Sequence, residues 1–135
     1  MEALMTPVEC MQKVYALMRA GEWDEVEKYV ADDFILYEPE SLPYGGEWTG
    51  KDVFRRLFPV VMQTFGDPVV EPVEMSGGAE WANYIIHFSG TSKATGIRST
   101  YRVIESARVV DGKMQEMHLH YFDTAKIAAD LKGES

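Results

Sequence analysis

Cysteine is almost missing from this sequence. Cys10 is the only one in 135 residues, which excludes an internal disulfide and any zinc site built on paired thiolates. Basic residues are also few: 13 lysines and arginines stand against 22 acids, for a formal charge of −9. A chain so short of cations is poorly suited to neutralise phosphates, so neither nucleic acid nor anionic membrane is an expected partner. No apolar run approaches the ~20 residues of a membrane-crossing helix. The opening residues MEALMTPVEC have neither a basic start nor an apolar stretch of export-signal length. Repeats, linkers and low-complexity tracts are lacking too. The expectation is a soluble, cytoplasmic, acidic protein with one domain over residues 1–135, a size that needs no disulfide or metal to hold it together.

What is present divides the chain in two. Thr6-Pro7-Val8-Glu9 combines an N-cap hydroxyl, a first-turn proline and a capping-box glutamate. Val8, Met11, Val14, Tyr15 and Met18 follow at helical spacing, and Gly21 suits the stop. A second helix is predicted near Trp23–Ala31 and a strand at Phe34–Tyr37. Glu40–Gly50 reads as a turn-rich aromatic loop, and a third helix runs from Thr49 to Phe65 with Pro59 inside it. From there β-branched and aromatic runs alternate with turns. Strands are predicted at Val69–Met75, Glu80–Ser89, Ile97–Val110 and Met114–Phe122, with a short closing helix at Ala125–Leu131. Helices followed by a meander make an α+β fold, its helices on one face of an antiparallel sheet.

Alternation assigns the faces. In Ile97–Arg108, Ser99, Tyr101, Val103, Glu105 and Ala107 look toward the helices, while three arginines look away. A carboxylate on that inner face is costly unless paired or protonated, which singles out Glu105. In the last strand Met117, Leu119 and Tyr121 face inward and Glu116, His118 and His120 outward. Tyr37, Tyr44, Trp48, Phe54 and Phe58 gather about the loop and third helix. With Tyr101 and the adaptable Met117 they are candidate walls of a pocket for a flat apolar ligand. Glu116-x-His118-x-His120 has the spacing of metal ligands on one strand face, but it lacks a partner strand other than through His87, so no metal is expected.

Several strings together resemble the SnoaL-like branch of the nuclear transport factor 2-like superfamily. They are Ala20-Gly21-Glu22-Trp23-Asp24, Ala31-Asp32-Asp33-Phe34, Glu40-Ser41-Leu42-Pro43-Tyr44-Gly45-Gly46, Thr49-Gly50, Asp111-Gly112-Lys113-Met114 and His120-Tyr121-Phe122-Asp123. The resemblance implies a cystatin-like cone, with three N-terminal helices on a strongly curved antiparallel sheet. Among its relatives, the ketosteroid isomerases place their proton-shuttling carboxylate at Glu38 and their protonated oxyanion-hole acid near Glu105. Their oxyanion-hole tyrosine falls at Val14, with Tyr15 one place along, about 100° around the helix. Tyr101 or Tyr37 is another source of that hydroxyl. Similarity to limonene epoxide hydrolases, in Tyr121-Phe122-Asp123, and to SnoaL-type polyketide cyclases turns His120 inward instead. A β-bulge would reconcile this with the alternation, making His120 reachable from the pocket.

The resulting expectation is a pocket for a small apolar molecule, with cofactor-independent acid/base chemistry on a carbonyl compound of isomerase or cyclase type. Glu38 would act as base, Glu105 or Tyr15 as oxyanion donor and His120 as a second acid. The alternative is a non-catalytic binding or dimerisation module with the same pocket. Pairing through the outer sheet face into a homodimer is expected in either case.

Overall fold

The computed structural model describes residues 5–134. Helix α1 (Pro7–Arg19) begins with the capping box read from the sequence: the Thr6 amide donates to Glu9 Oε1 at 2.9 Å, and the Glu9 amide donates to Thr6 Oγ1 at 3.1 Å. Its buried stripe is Pro7, Cys10, Met11 and Val14. Burial pushes the Cys10 thiol up to about 11, so at neutral pH it is a packed sulfur and not a nucleophile. Helix α2 is shorter than expected, Trp23–Val26 followed by a 3-10 turn at Glu27–Tyr29. Strand β1 starts at once and runs Val30–Glu38. Asp32 and Asp33 therefore lie within the strand and stay exposed, at a register shift between Val30 and Ile35. The two acids mark a bulge, not a boundary.

The predicted loop contains strand β2 (Gly46–Thr49), so α3 starts later, at Val53–Thr64, and carries Pro59 internally. Phe65 belongs to the long edge strand β3 (Phe65–Gly77), which absorbs Gly66-Asp67-Pro68 through a register shift, with Asp67 at φ 47°. Strands β4 (Trp81–Ser92), β5 (Arg98–Val110) and β6 (Lys113–Tyr121) and helix α4 (Thr124–Lys132) complete the chain.

The six strands form one curved sheet in the order β2-β1-β6-β5-β4-β3. Every pairing is antiparallel except β1 with β6, which is parallel. That exception follows from connectivity, since β1 joins the sheet beside the last strand of the meander, well separated in sequence. Phe34, Leu36, Val103, Ala107, Met114 and Met117 project from the inner face and meet Met11 and Val14 of α1, Phe54 of α3 and Ile127 of α4. Among the described residues no helix is long and apolar enough to cross a membrane.

Candidate functional site

Two acids that the sequence places at awkward positions come to lie on one line across the inner face. Tyr37 is level with His118, so Glu38 is level with Leu119, and Leu119 is in register with Glu105. Glu105 is in turn opposite Tyr84, and Tyr84 opposite Met75. Two strand spacings separate the backbones of Glu38 and Glu105, roughly 10 Å. The side chains between them are Leu119 and, two residues along β6, Tyr121.

Each acid is held by a tyrosine. The Tyr121 hydroxyl donates to Glu38 Oε1 at 3.2 Å, and the Tyr15 hydroxyl donates to Glu105 Oε2 at 2.8 Å. Val14, where the isomerase tyrosine would fall, is wholly buried core, whereas Tyr15 reaches Glu105 from the adjoining position on α1. The offset of one residue therefore still delivers a hydroxyl to the inner acid. Glu38 is only 6% exposed. Burial pushes its carboxyl up to about 8; Tyr121 opposes the shift, and the nearby Glu105 charge adds to it. Burial likewise pushes Glu105 up to about 7, with Tyr15 pulling the other way. The Tyr15 and Tyr121 phenols are both pushed well above their ordinary range, first by burial and then by the neighbouring carboxylates. Tyr44, 3% exposed and next to Tyr121 and Glu38, is raised by burial as well.

The Tyr15 end of this row opens to solvent. A cleft of about 270 Å³ lies between α1 and the β3–β4 hairpin, lined by Gln12, Tyr15, Arg19, Pro72, Val73, Glu74, Met75 and Tyr84. The Tyr15 and Tyr84 rings pack there with centroids 5.3 Å apart. Volume and lining fit a ligand of one or two rings, just below the ~300 Å³ at which drug-sized pockets begin.

The pocket walls expected from the sequence lie elsewhere. Tyr37 points to the outer face, where its ring stacks on His118 at 4.7 Å, because it alternates with the inward Leu36 and Glu38. Phe58 is 43% exposed and rests on Trp23 at 5.7 Å. Phe54 and Met117 fill the core, Phe54 against Phe34 at 5.4 Å. Trp48 donates its ring N–H to the Tyr44 carbonyl at 2.9 Å, which closes the loop over Glu38 instead of lining a cavity. Tyr101 is no spare oxyanion donor. Its hydroxyl donates to Asp130 Oδ2 at 2.8 Å, which pins α4 to the sheet. Although burial opposes ionisation of Asp130, hydrogen bonds from Tyr101 and Lys126 hold its carboxyl below the ordinary range.

His120 requires a correction. It is exposed on the outer face, opposite Ile104, and its ring stacks on His118 at 6.1 Å. Between Ile104 and Glu105 on β5 and their partners on β6 the register has no break. Without a bulge, Tyr121 and not His120 turns inward. Among the described residues no group of three His, Cys, Asp or Glu is arranged to hold a metal ion. Sequence reasoning missed Tyr121 and Tyr84 as members of the site, although simple alternation had already pointed Tyr121 inward. It also missed the rim residues Gln12 and Arg19, since nothing in sequence brings β3 against α1.

The fold is shared by solved structures across nearly the whole chain. An NTF2-like protein from Burkholderia thailandensis E264 superposes with a TM-score of 0.83 at 19% identity, covering 95% of this chain and 98% of that one. TerC, crystallised with polyporic acid, gives 0.77 at 18% identity, with 93% and 98% covered. A putative SnoaL-like polyketide cyclase from Mesorhizobium loti gives 0.70 at 24% identity, with 87% and 100% covered. No curated protein is matched in sequence. The model of the SnoaL-like domain matches residues 11–117, a span from within α1 into β6 that holds Tyr15, Glu38 and Glu105. The chain belongs to the SnoaL-like domain family.

Proposed function

We propose that this protein binds a small unsaturated carbonyl compound in the α1–β3 cleft and moves a proton on it without a cofactor. The observation that carries this reading is Tyr15, which lines the cleft and whose hydroxyl donates to the inner acid Glu105. With Glu105 ionised, Tyr15 donates inward and its oxygen has a lone pair free for the cleft. A proton leaving the carbon next to the substrate carbonyl passes to Tyr15 as the tyrosine's own proton passes to Glu105. With Glu105 protonated the sequence reverses, and the tyrosine returns a proton to carbon or oxygen. A carboxyl poised at about 7 is matched to both directions near neutral pH. Glu38 is sealed beneath the Tyr44 loop and holds its proton longer. Its role is a second acid that resists ionising together with Glu105, not the base that faces substrate. The likeness to a putative polyketide cyclase supports chemistry of this class.

Exchange of the α-protons of a small cyclic 1,3-dicarbonyl or enone panel in deuterated buffer, followed by NMR, tests this. Tyr15→Phe and Glu105→Gln are each expected to slow exchange by about 10²–10³-fold, and Glu38→Gln by less than ~10-fold. Binding by the wild type with no acceleration over Tyr15→Phe would sink the catalytic reading and leave a binding module.

The outer face supports a homodimer. Trp81 and Ile104 are 38% and 40% exposed beside the Tyr37–His118–His120 ring stack. Ile104→Lys is expected to convert a dimer to a monomer in sedimentation at micromolar concentration; a wild type already monomeric there contradicts the pairing.

A further inference from the structure

The wall that α1 contributes to the cleft comes from one face of that helix: Gln12, Tyr15 and Arg19, three and four residues apart. Arg19 is exposed, and among the described residues no carboxylate lies within ion-pairing distance of it. Among the described residues Lys28, Lys51, Arg55, Arg56, Arg108 and Lys126 do have such partners, Arg55 with Asp24 and Arg108 with Glu80 among them. The facing wall is apolar: Met75 and Tyr84 face each other in register, and a shift between Pro72 and Glu74 works Val73 into the rim. Glu74 also belongs to the lining of this wall, but it is opposite Ile85, one place off the inward Met75–Tyr84 pair, so alternation sets its side chain toward the outer face. Along α1 the cleft therefore presents the Gln12 amide, then the Tyr15 phenol, then the Arg19 guanidinium, with a flat apolar slot facing them. Four residues of helix place the guanidinium ~6 Å from the phenol along the axis.

We propose that this cleft selects a small aromatic or conjugated carboxylic acid. Its carboxylate sits on Arg19, its planar body lies against Met75, Val73 and Tyr84, and its reacting end meets Tyr15. The overall charge of −9 disfavours anions at long range. That field is spread over the surface and screened beyond ~8 Å, whereas the guanidinium acts in direct contact. Only the Tyr15 end of the assignment rests on the proton-transfer reading; the Arg19 end stands on the shape and charge of the cleft.

Calorimetric titration with trans-cinnamate and with trans-cinnamamide, which has the same shape and no charge, tests the selection directly. The wild type is expected to bind the acid at least ten-fold more tightly than the amide. Arg19→Met, at an exposed position where the fold is not at risk, is expected to abolish that ratio. Tyr15→Phe is expected to leave the ratio intact. Equal binding of acid and amide, an unchanged ratio in Arg19→Met, or binding of neither probe overturns the proposal. A charge preference without α-proton exchange would leave the acid site standing and remove the catalytic reading; exchange without a charge preference would do the reverse.

Discussion

Glu38→Gln is expected to make the protein more stable in alkaline buffer and to flatten its dependence on pH. The buried carboxyl has a native value of about 8 against an ordinary 4.5, so between those limits the folded chain holds a proton that the unfolded chain has lost. Stability falls with pH wherever the native state binds more protons. Below about pH 4.5 both states are protonated and burial carries no ionic penalty. Above about pH 8 the native carboxylate is charged in an apolar setting, and the full penalty applies. At about 1.4 kcal/mol per unit, the loss across the window is on the order of 4 kcal/mol, shared in part with Glu105 because the two charges repel. Glutamine has the same shape, still accepts from Tyr121 and never ionises. Urea unfolding near pH 5, 7 and 9 should give curves that cross: the variant equal to the wild type or slightly weaker in acid, and stronger by several kcal/mol at the alkaline end. Above about pH 6 the ordinary carboxylates are ionised, and the other buried acid that changes charge in the window is Glu105, at about 7, which is present in both proteins. Parallel curves for the two proteins would mean that Glu38 is solvated.

Phe65→Ala is expected to cost about 3–5 kcal/mol and also to make an otherwise damaging change milder. Phe65 is 1% exposed, meets Phe88 edge-on at 5.2 Å and Tyr101 at 6.1 Å, and stands where α3 becomes β3. Its ring covers Gly90 of β4 so closely that a methyl group there would be 3.0 Å from its Cβ and 3.1 Å from its ring atoms. Gly90→Ala alone should therefore overpack the site and cost about 1–3 kcal/mol. In the Phe65→Ala background the two ring contacts are gone and only the Cβ contact remains, and alanine also restricts the unfolded strand, so the same change should cost at least ~1 kcal/mol less than it does alone. Denaturant unfolding of the four proteins gives a coupling energy of about 1–3 kcal/mol. Strict additivity would show that Gly90 is there for some reason other than the phenylalanine above it.

Residues governed by near neighbours were legible. The Thr6–Glu9 capping box, the inward parity of Tyr101, Glu105 and Tyr121, and the glycine-bearing turn at Asp111-Gly112 depend on helix or strand periodicity over a few positions. Boundaries were less so. Thr49 carries a helix-cap signal yet ends β2, because pairing with Ile35 across the sheet outweighs the local preference. Asp32-Asp33 looks like a stop, yet it sits inside β1, where a bulge lets two acids reach water without breaking the pairing that follows. His120 was pulled inward by a similar ending in related sequences, and the unbroken β5–β6 register put it back outside. The aromatic set about the loop was correctly gathered in part but wrongly employed, since clustering in sequence does not say which side of β1 a ring leaves from.

The sequence alone determined the acidic character, the helix-then-meander order and the presence of a carboxylate, Glu105, on a face where an apolar interior is expected. Each of these depends on composition or on periods of two and 3.6 residues, which the chain carries wherever it goes. The tertiary structure decided which tyrosine serves which acid, that Glu38 is sealed and Glu105 adjoins an opening, and that Arg19 shares a cleft with both Tyr15 and Tyr84. Those facts need strands far apart in the chain to lie side by side at ~4.8 Å and a helix to settle over them at one rotation. That placement is fixed by the packing of the whole core and has no signature in any local stretch.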